Sequence, residues 1–136
     1  MPVSTDCLFC RIVAGEIPAR LVHSDETAIA FLDVAPFHRG HTLVVPRAHS
    51  ADLLDGPGVL AGIAPAVEAT AGLLRERLRP SGINMLSNLG ADAGQSVFHT
   101  HVHLIPRYPD LPGMDALLTR DADADELDAV LAEILA

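Results

Sequence analysis

The spacing of apolar residues predicts helices in the middle and at both ends of the chain. Between Val59 and Leu78, apolar side chains recur every three or four positions, which is the period of one helix face. Pro65 lies inside this pattern and must either kink the helix or mark its true start. A shorter apolar pattern over Leu127–Leu135 predicts a terminal helix, and residues 6–14 indicate one or two helical turns.

Shorter apolar and β-branched runs, bounded by turn residues, predict five strands. They cover residues 20–23, 27–33, 41–46, 83–89 and 97–107. Three of these strands precede the long helix and two follow it. This order predicts an α+β fold, in which one helix packs on a five-stranded antiparallel sheet and short helices lie near the termini. Residues 1–136 show no internal repeat, so we expect a single domain.

Three histidines alternate along the last predicted strand. Alternation would place His99, His101 and His103 on one face, and Thr100 and Val102 on the other. Neighbouring histidines would be ~7 Å apart and the outer two ~13 Å apart. Two neighbours can share a metal ion, but all three cannot, because a metal–nitrogen bond is only ~2.1 Å long. The three histidines must therefore have at least two different functions, unless they form a solvated polar face or a purely metal-binding one.

Two other motifs carry candidate chemistry. The glycines of residues 90–94 allow the backbone to approach a ligand, and the Ser96 hydroxyl could hold phosphate oxygens. Cys7 and Cys10 form a C-x-x-C pair, which indicates metal or redox chemistry in a reducing compartment. The same two cysteines could also be ordinary buried residues near a short helix.

Composition and charge narrow the function classes. The formal net charge is −9 and all basic side chains are arginine, so the chain is a poor partner for DNA or RNA. A small nucleotide needs only local donors and is not excluded. The sequence has no apolar run of ~18 residues and no signal-peptide pattern, so we expect no membrane partner and a cytoplasmic location.

The stretch from Gly94 to Ile105, GQSVFHTHVHLI, resembles the signature of the histidine triad (HIT) family of nucleotide hydrolases and transferases. Residues 6–12, 15–18, 30–33 and 40–49 resemble further blocks of that family. The similarity covers roughly residues 6–108 and is greatest to the Hint-like bacterial members. Residues 109–136 form a variable tail that does not match the better-known Hint ending.

The resemblance implies a covalent mechanism. The middle histidine of the family is the nucleophile, which here is His101, and water then cleaves the resulting nucleotidyl-histidine. His103 is expected to contact the phosphate and assist the leaving group, and Ser96 to contact both. His41 matches a fourth histidine near the triad, and it is expected to take part in a proton relay.

The resemblance also implies binding sites for an AMP-type purine nucleotide and a metal. Asp33 matches the acid that holds the ribose hydroxyls, Asn88 matches a substrate-contacting asparagine, and Gln95 lies beside Ser96. Phe9, Ile12 and Phe31 are candidates for an apolar base slot. Some members of the family bind zinc with two cysteines and two histidines, which predicts a structural zinc on Cys7, Cys10, His49 and His99. Family members usually form homodimers through the long helix and the fourth or fifth strand.

The resemblance therefore implies a nucleotide phosphoramidase or a similar hydrolase of adenylated small molecules. Three alternatives remain open at this level. They are a dinucleoside polyphosphate hydrolase, a nucleotide- or partner-binding module without turnover, and a metallohydrolase that uses the triad as ligands.

Overall fold

The computed structural model describes residues 6–136, which form five strands and three α-helices. The strands are β1 (Leu21–Ser24), β2 (Ala28–Leu32), β3 (Thr42–Pro46), β4 (Gly82–Leu86) and β5 (Val102–Arg107). The α-helices are α1 (Leu8–Val13), α2 (Val59–Leu78) and α3 (Leu127–Leu135). Short 3₁₀ turns at Ala91–Ala93, Met114–Ala116 and Ala124–Glu126 connect them.

The five strands form one antiparallel sheet in the order β1-β2-β3-β5-β4. The predicted α+β fold is therefore confirmed: the long helix α2 and the terminal helix α3 pack together on one face of the sheet. No helix within residues 6–136 is long and apolar enough to cross a membrane.

The central strands are buried on both faces, because each face has its own apolar cluster. In β2, Ala28, Ala30 and Leu32 pack toward α2 and α3, whereas Ile29 and Phe31 belong to a second cluster with Phe9 of α1. Each fully buried large apolar side chain contributes about 1.5–3 kcal/mol of transfer free energy. The second cluster is the smaller of the two, and it leaves room on its face of the sheet for a cavity.

Helix α2 begins and ends where the apolar pattern predicts. Ile63, Val67, Thr70, Leu74 and Leu78 are buried along one face. Pro65 lies inside the helix with an exposed side chain, so it does not mark the true start. The helix ends at Leu78, and the next residue, Arg79, caps it in a left-handed conformation with a φ of 52°.

The predicted strand over residues 97–107 is shorter in the structure. Strand β5 begins at Val102, so His99 and His101 precede it and only His103 lies within it. Other groups bond to the backbone of the preceding segment: the Thr100 amide donates to Ser50 O at 2.7 Å, and the Ser87 hydroxyl donates to His101 O at 2.7 Å. The prediction that one strand carries all three histidines is therefore wrong.

The other four predicted strands also differ at their ends, and the first of them, predicted over residues 20–23, covers Leu21–Ser24. The predicted strand over residues 83–89 ends at Leu86, so Asn88 follows β4 rather than lying on it. His41 precedes β3, because its amide closes a turn onto His38 O at 3.0 Å. Strand β2 ends at Leu32, one residue before Asp33.

Gly40, in the loop before β3, packs closely against Leu78 at the end of α2. Its φ is +88°, and a Cβ at this position would overlap Cδ1 of Leu78. Gly15 has a similar φ of +80°, but a Cβ there would have no neighbour within 4 Å. We expect Gly15→Ala to lower the free energy of unfolding by about 1 kcal/mol, from backbone strain alone. Gly40→Ala adds overpacking against Leu78 and should cost about 1–3 kcal/mol more.

Urea unfolding of both variants measures this difference. Equal losses of stability in the two variants would contradict the close packing of Gly40 on Leu78.

Candidate functional site

A cavity of about 690 Å³ opens on the sheet face opposite α2. It brings together residues that are far apart in the chain, from α1, the end of β2, the segment before β5, and β5 itself. Seven of the predicted site residues line it: Phe9, Ile12, Phe31, Asp33, Ser96, His101 and His103. The apolar side chains form one part of the wall, and the polar ones provide the chemistry.

One ring nitrogen of His101 is bound to the backbone. His101 Nδ1 lies 2.8 Å from the carbonyl oxygen of His99. A carbonyl can only accept, so Nδ1 carries a proton, and in the neutral ring Nε2 keeps its lone pair. The ring is 6% exposed, and Phe9 contacts it edge-on with ring centroids 5.1 Å apart. In the neutral tautomer that this bond selects, Nε2 is unprotonated, which is the form that can act as a nucleophile.

A second chain of hydrogen bonds fixes the protons of His41 and His103. The Phe37 amide donates to His41 Nδ1 at 3.1 Å, so the proton of neutral His41 is on Nε2. His41 Nε2 lies 3.0 Å from His103 Nδ1 and 3.6 Å from Asp33 Oδ2. His103 Nδ1 therefore accepts, and its proton is on Nε2. In consequence, His103 offers an N–H donor beside the lone pair of His101.

Burial keeps both of these histidines neutral at physiological pH. Desolvation lowers the pKa of His41 to about 4, more than the nearby Asp33 carboxylate raises it. Desolvation also lowers the pKa of His103 to about 4, and the neighbouring His101 contributes in the same direction. His103 can therefore donate a hydrogen bond, but it carries no extra proton to give away.

The distances alone would also allow a metal ion between Asp33, His41 and His103, whose donor atoms lie within 4.8 Å of one another. The hydrogen bonds argue against it. A metal on His41 Nε2 would require that nitrogen to lose its proton while Nδ1 still accepts from the Phe37 amide. The ring would then have to be an anion or give up that hydrogen bond. This cluster is better suited to hydrogen-bond relay than to metal binding.

A second group of donors lies beside the cavity, where α1 meets the segment before β5. Four side chains each place one ligand atom within 4.8 Å of the other three: Cys7, Cys10, His49 and His99. Individual separations are 3.3 Å between Cys10 Sγ and His49 Nδ1, 3.4 Å between Cys7 Sγ and His99 Nδ1, and 3.2 Å between the two Nδ1 atoms.

These separations fit a tetrahedral metal centre. Bonds of ~2.3 Å to sulfur and ~2.1 Å to nitrogen put neighbouring ligand atoms ~3.4–3.8 Å apart around zinc. The His99 ring is oriented for this role, because its Nε2 donates to Pro46 O at 2.8 Å and leaves the Nδ1 lone pair facing the sulfurs. Burial lowers the pKa of His99, which favours the neutral form that a metal requires. The Cys/His cluster is therefore compatible with zinc.

Two predicted nucleotide-binding residues lie apart from the cavity lining. The buried Gln95 amide accepts from Gly90 N at 2.8 Å and donates to Ala51 O and Val97 O. These bonds hold the backbone on both sides of Ser96. Asn88 lies below the same loop, where its Nδ2 would be 3.4 Å from a Cβ added at Gly94. A direct contact of either residue with a nucleotide stays a prediction.

The structure also adds contacts that the sequence did not indicate. Arg20 and Asp128 line the cavity and form an ion pair of 2.7 Å, although they are more than one hundred residues apart. Phe37 stacks on the His41 ring, and Arg120 lies over Phe37. No local motif marks these residues, because their partners come from distant parts of the chain.

Comparisons with known proteins agree with the fold and the motifs. The family model described as HIT domain matches residues 14–110. Protein hit from Bacillus subtilis is 42% identical over 124 residues, covering 90% of this chain and 86% of that protein. Adenylylsulfatase HINT3 from Arabidopsis thaliana is 36% identical over 106 residues, covering 77% of this chain and 54% of that protein.

Solved structures give the same result. A Zn-bound histidine triad family protein from Mycobacterium smegmatis is 40% identical, with a TM-score of 0.78 over 95% of this chain and 93% of that one. A HIT-like protein from Bartonella henselae has a TM-score of 0.81 at 29% identity, over 98% of this chain and 97% of that one. Together with the antiparallel sheet and the histidine-lined cavity, these matches show that the chain belongs to the HIT family.

Proposed function

We propose that this protein hydrolyses nucleoside phosphoramidates or similar adenylated small molecules through a covalent bond between His101 and the α-phosphorus. The observation that carries the proposal is the hydrogen bond from His101 Nδ1 to His99 O, which leaves the Nε2 lone pair available in a ring that lines the cavity. A nucleotide-binding module without turnover would not need this orientation.

In the first half-reaction, the His101 Nε2 lone pair forms a bond to the α-phosphorus. The bond from phosphorus to the leaving nitrogen breaks, and that nitrogen gains a proton from solvent through the Ser96 hydroxyl. The His103 Nε2–H donates a hydrogen bond to a phosphoryl oxygen as charge develops there. In the second half-reaction, water attacks the phosphorus, the electron pair returns to Nε2, and the proton is released to solvent.

The cavity offers complementary contacts for the rest of a purine nucleotide. Phe9, Ile12 and Phe31 form the apolar slot proposed for the base. Asp33 Oδ1 already accepts from the Ala35 amide at 2.9 Å, but a carboxylate has further lone pairs for the two ribose hydroxyls. The proposal therefore places the base between α1 and β2, the ribose at Asp33, and the α-phosphate between His101, His103 and Ser96.

The identity of the leaving group is a separate question. The same attack on phosphorus would release an amine, sulfate or a nucleotide. The similarity to an adenylylsulfatase makes adenylylsulfate a second candidate substrate. Dinucleoside polyphosphates are the third. Comparison of kcat/KM for adenosine phosphoramidate, adenylylsulfate and a diadenosine polyphosphate ranks these three reactions.

We also propose a structural zinc ion on Cys7, Cys10, His49 and His99. A site with four protein ligands has no position for a reactive water, so such an ion would stabilise the fold rather than take part in the reaction. It would tie α1, which carries Phe9, to the segment that carries His101. Cysteines used as ligands suit the reducing cytoplasm proposed for this chain.

A second copy of the chain is the proposed partner for the surface beside β4. Strand β4 is at the edge of the sheet, and Met85 on it is 56% exposed. Leu60 on α2 is also 56% exposed and lines a cavity with Met85. Apolar side chains at an open sheet edge are typical of a homodimer interface.

The nucleophile assignment has a direct test. His101→Ala removes the attacking nitrogen, so we expect kcat for AMP release from adenosine phosphoramidate to fall by at least about a thousandfold. His23→Ala changes a histidine of β1 that bonds Asp25 outside the cavity, and it should leave kcat unchanged. Undiminished turnover in the His101 variant would contradict the mechanism.

The zinc proposal predicts which substitutions release metal. Cys10→Ser should lower the zinc content well below one ion per chain and reduce the melting temperature, because a tetrahedral site loses a thiolate ligand. His103→Ala, outside the four-ligand cluster, should keep about one zinc per chain, as measured by plasma mass spectrometry. Loss of metal from the His103 variant with retention in the Cys10 variant would place the ion at the triad instead.

Burial of neutral His41 predicts a pH-dependent stability. The pKa of His41 falls from 6.5 in the unfolded chain to about 4 in the folded protein. The unfolded state therefore binds the proton first as pH drops below 6.5, and unfolding free energy is lost progressively down to about pH 4. His41→Gln removes this contribution, about 3 kcal/mol at full protonation of the unfolded state.

Urea unfolding of the wild type and His41→Gln at several pH values measures this contribution. Both proteins keep the Cys/His cluster, so its own pH dependence cancels in the comparison. The stability difference between them should narrow as pH falls from 6.5 to 4. A constant difference over this range would contradict the buried, neutral state of His41.

A further inference from the structure

The loop before β3 is held in place by the end of the chain. Residues 108–121, here called the C-terminal strap, supply a partner for every residue from 35 to 39. The contacts are Arg120 Nη1 with Ala35 O and Pro36 O, Asp121 N with Phe37 O, His38 Nε2 with Ala116 O and Leu117 O, and the Tyr108 hydroxyl with Arg39 O. The loop thus depends on the strap for its shape.

Arg120 contacts this loop in two ways. Its Nη1 atom donates to the carbonyls of Ala35 and Pro36, the latter at 3.0 Å, and the two N–H bonds of this nitrogen suit two neighbouring acceptors. Its Cζ atom also lies 4.3 Å from the centre of the Phe37 ring, which is a cation–π contact. Both contacts fix the position of Phe37.

Phe37 in turn fixes His41. Its ring stacks on the imidazole at a centroid distance of 5.9 Å and an interplanar angle of 23°. Its amide donates to His41 Nδ1 at 3.1 Å, and this bond decides which nitrogen of His41 carries the proton. Without the amide, the two tautomers of His41 would be closer in energy, and the alternative one places the proton on Nδ1.

The alternative tautomer would change the chemistry of the cavity. With its proton on Nδ1, His41 Nε2 becomes an acceptor, and His103 must then turn its own proton toward it through Nδ1. His103 Nε2 would present a lone pair to the cavity instead of an N–H donor. A lone pair beside phosphoryl oxygens is repulsive, so the transition state would lose a stabilising hydrogen bond.

We infer that Arg120 is a positioning residue for the reaction: through Phe37 it sets the tautomer of His41, and so the donor that His103 offers to the phosphoryl group. Its effect on turnover rests on the proposed function, whereas its effect on the tautomers does not. The strap is thus part of the active site, although Arg120 does not line the cavity.

The test combines kinetics with a direct view of the ring protons. We expect Arg120→Ala to lower kcat for adenosine phosphoramidate by about tenfold or more, with a smaller change in KM, because a misplaced donor acts mainly in the transition state. Arg120→Lys keeps the charge and one donor and should restore part of kcat. Arg77→Ala removes an exposed arginine of α2 and should leave both constants unchanged.

Nitrogen-15 chemical shifts of the imidazole rings report the tautomers without any substrate. In the wild type, the shifts should show protonated Nε2 in both His41 and His103. In Arg120→Ala, they should move toward the opposite tautomers, and in Arg120→Lys they should move less. This measurement stands even if the wild type does not cleave phosphoramidates, so failure of the proposed function and failure of the inference are distinguishable.

Two results would overturn the inference. One is a wild-type kcat in Arg120→Ala when the wild type is active. The other is unchanged ring shifts of His41 and His103 in a folded Arg120→Ala protein, which would show that the strap acts only on stability. If Arg120→Ala does not fold, the same criteria apply to Arg120→Met, which keeps a long side chain but removes the guanidinium and its hydrogen bonds.

Discussion

Hydrogen bonds from the backbone decide where the protons lie on His41, His99 and His101. The carbonyls of His99 and Pro46 accept from His101 and His99, and the amide of Phe37 donates to His41. Each bond commits one ring nitrogen and thereby defines the role of the other. In consequence, His101 has a lone pair toward the cavity and His99 has a lone pair toward the two thiols. His41 has a proton to donate to His103.

The fold holds in place the backbone groups that bind these histidines. The backbone groups that bind the histidines come from β3, from the loop before it and from the segment before β5, and the sheet holds these parts together. The apolar clusters on both faces make the central strands rigid, so the carbonyls and amides keep their positions. The Cys/His cluster then joins α1 to the same segment, which brings Phe9 against His101.

Local patterns in the sequence predicted the elements, and the family resemblance supplied most of the candidate site residues. The apolar period predicted α2 at its observed ends. The separation of His99 from His101 and His103 came from the family resemblance, and in the structure His99 Nδ1 faces the two sulfurs whereas His101 and His103 line the cavity. The predicted strand over residues 97–107 was too long. The alternation of residues does not reveal that Ser50 and Ser87 form hydrogen bonds with the backbone of Thr100 and His101. The sequence also could not predict the contacts of Arg120 with Phe37 and of Arg20 with Asp128, because only the folded chain brings these residues together.

The account depends on a covalent bond to His101, and the stereochemistry at phosphorus tests that bond most directly. Two successive in-line displacements invert the α-phosphorus twice, whereas direct attack by water inverts it once. Hydrolysis of one diastereomer of an adenosine phosphoramidothioate in oxygen-18 water, followed by analysis of the chiral product, measures the outcome. The account predicts net retention of configuration. Net inversion would show that water attacks directly and that His101 is not the nucleophile.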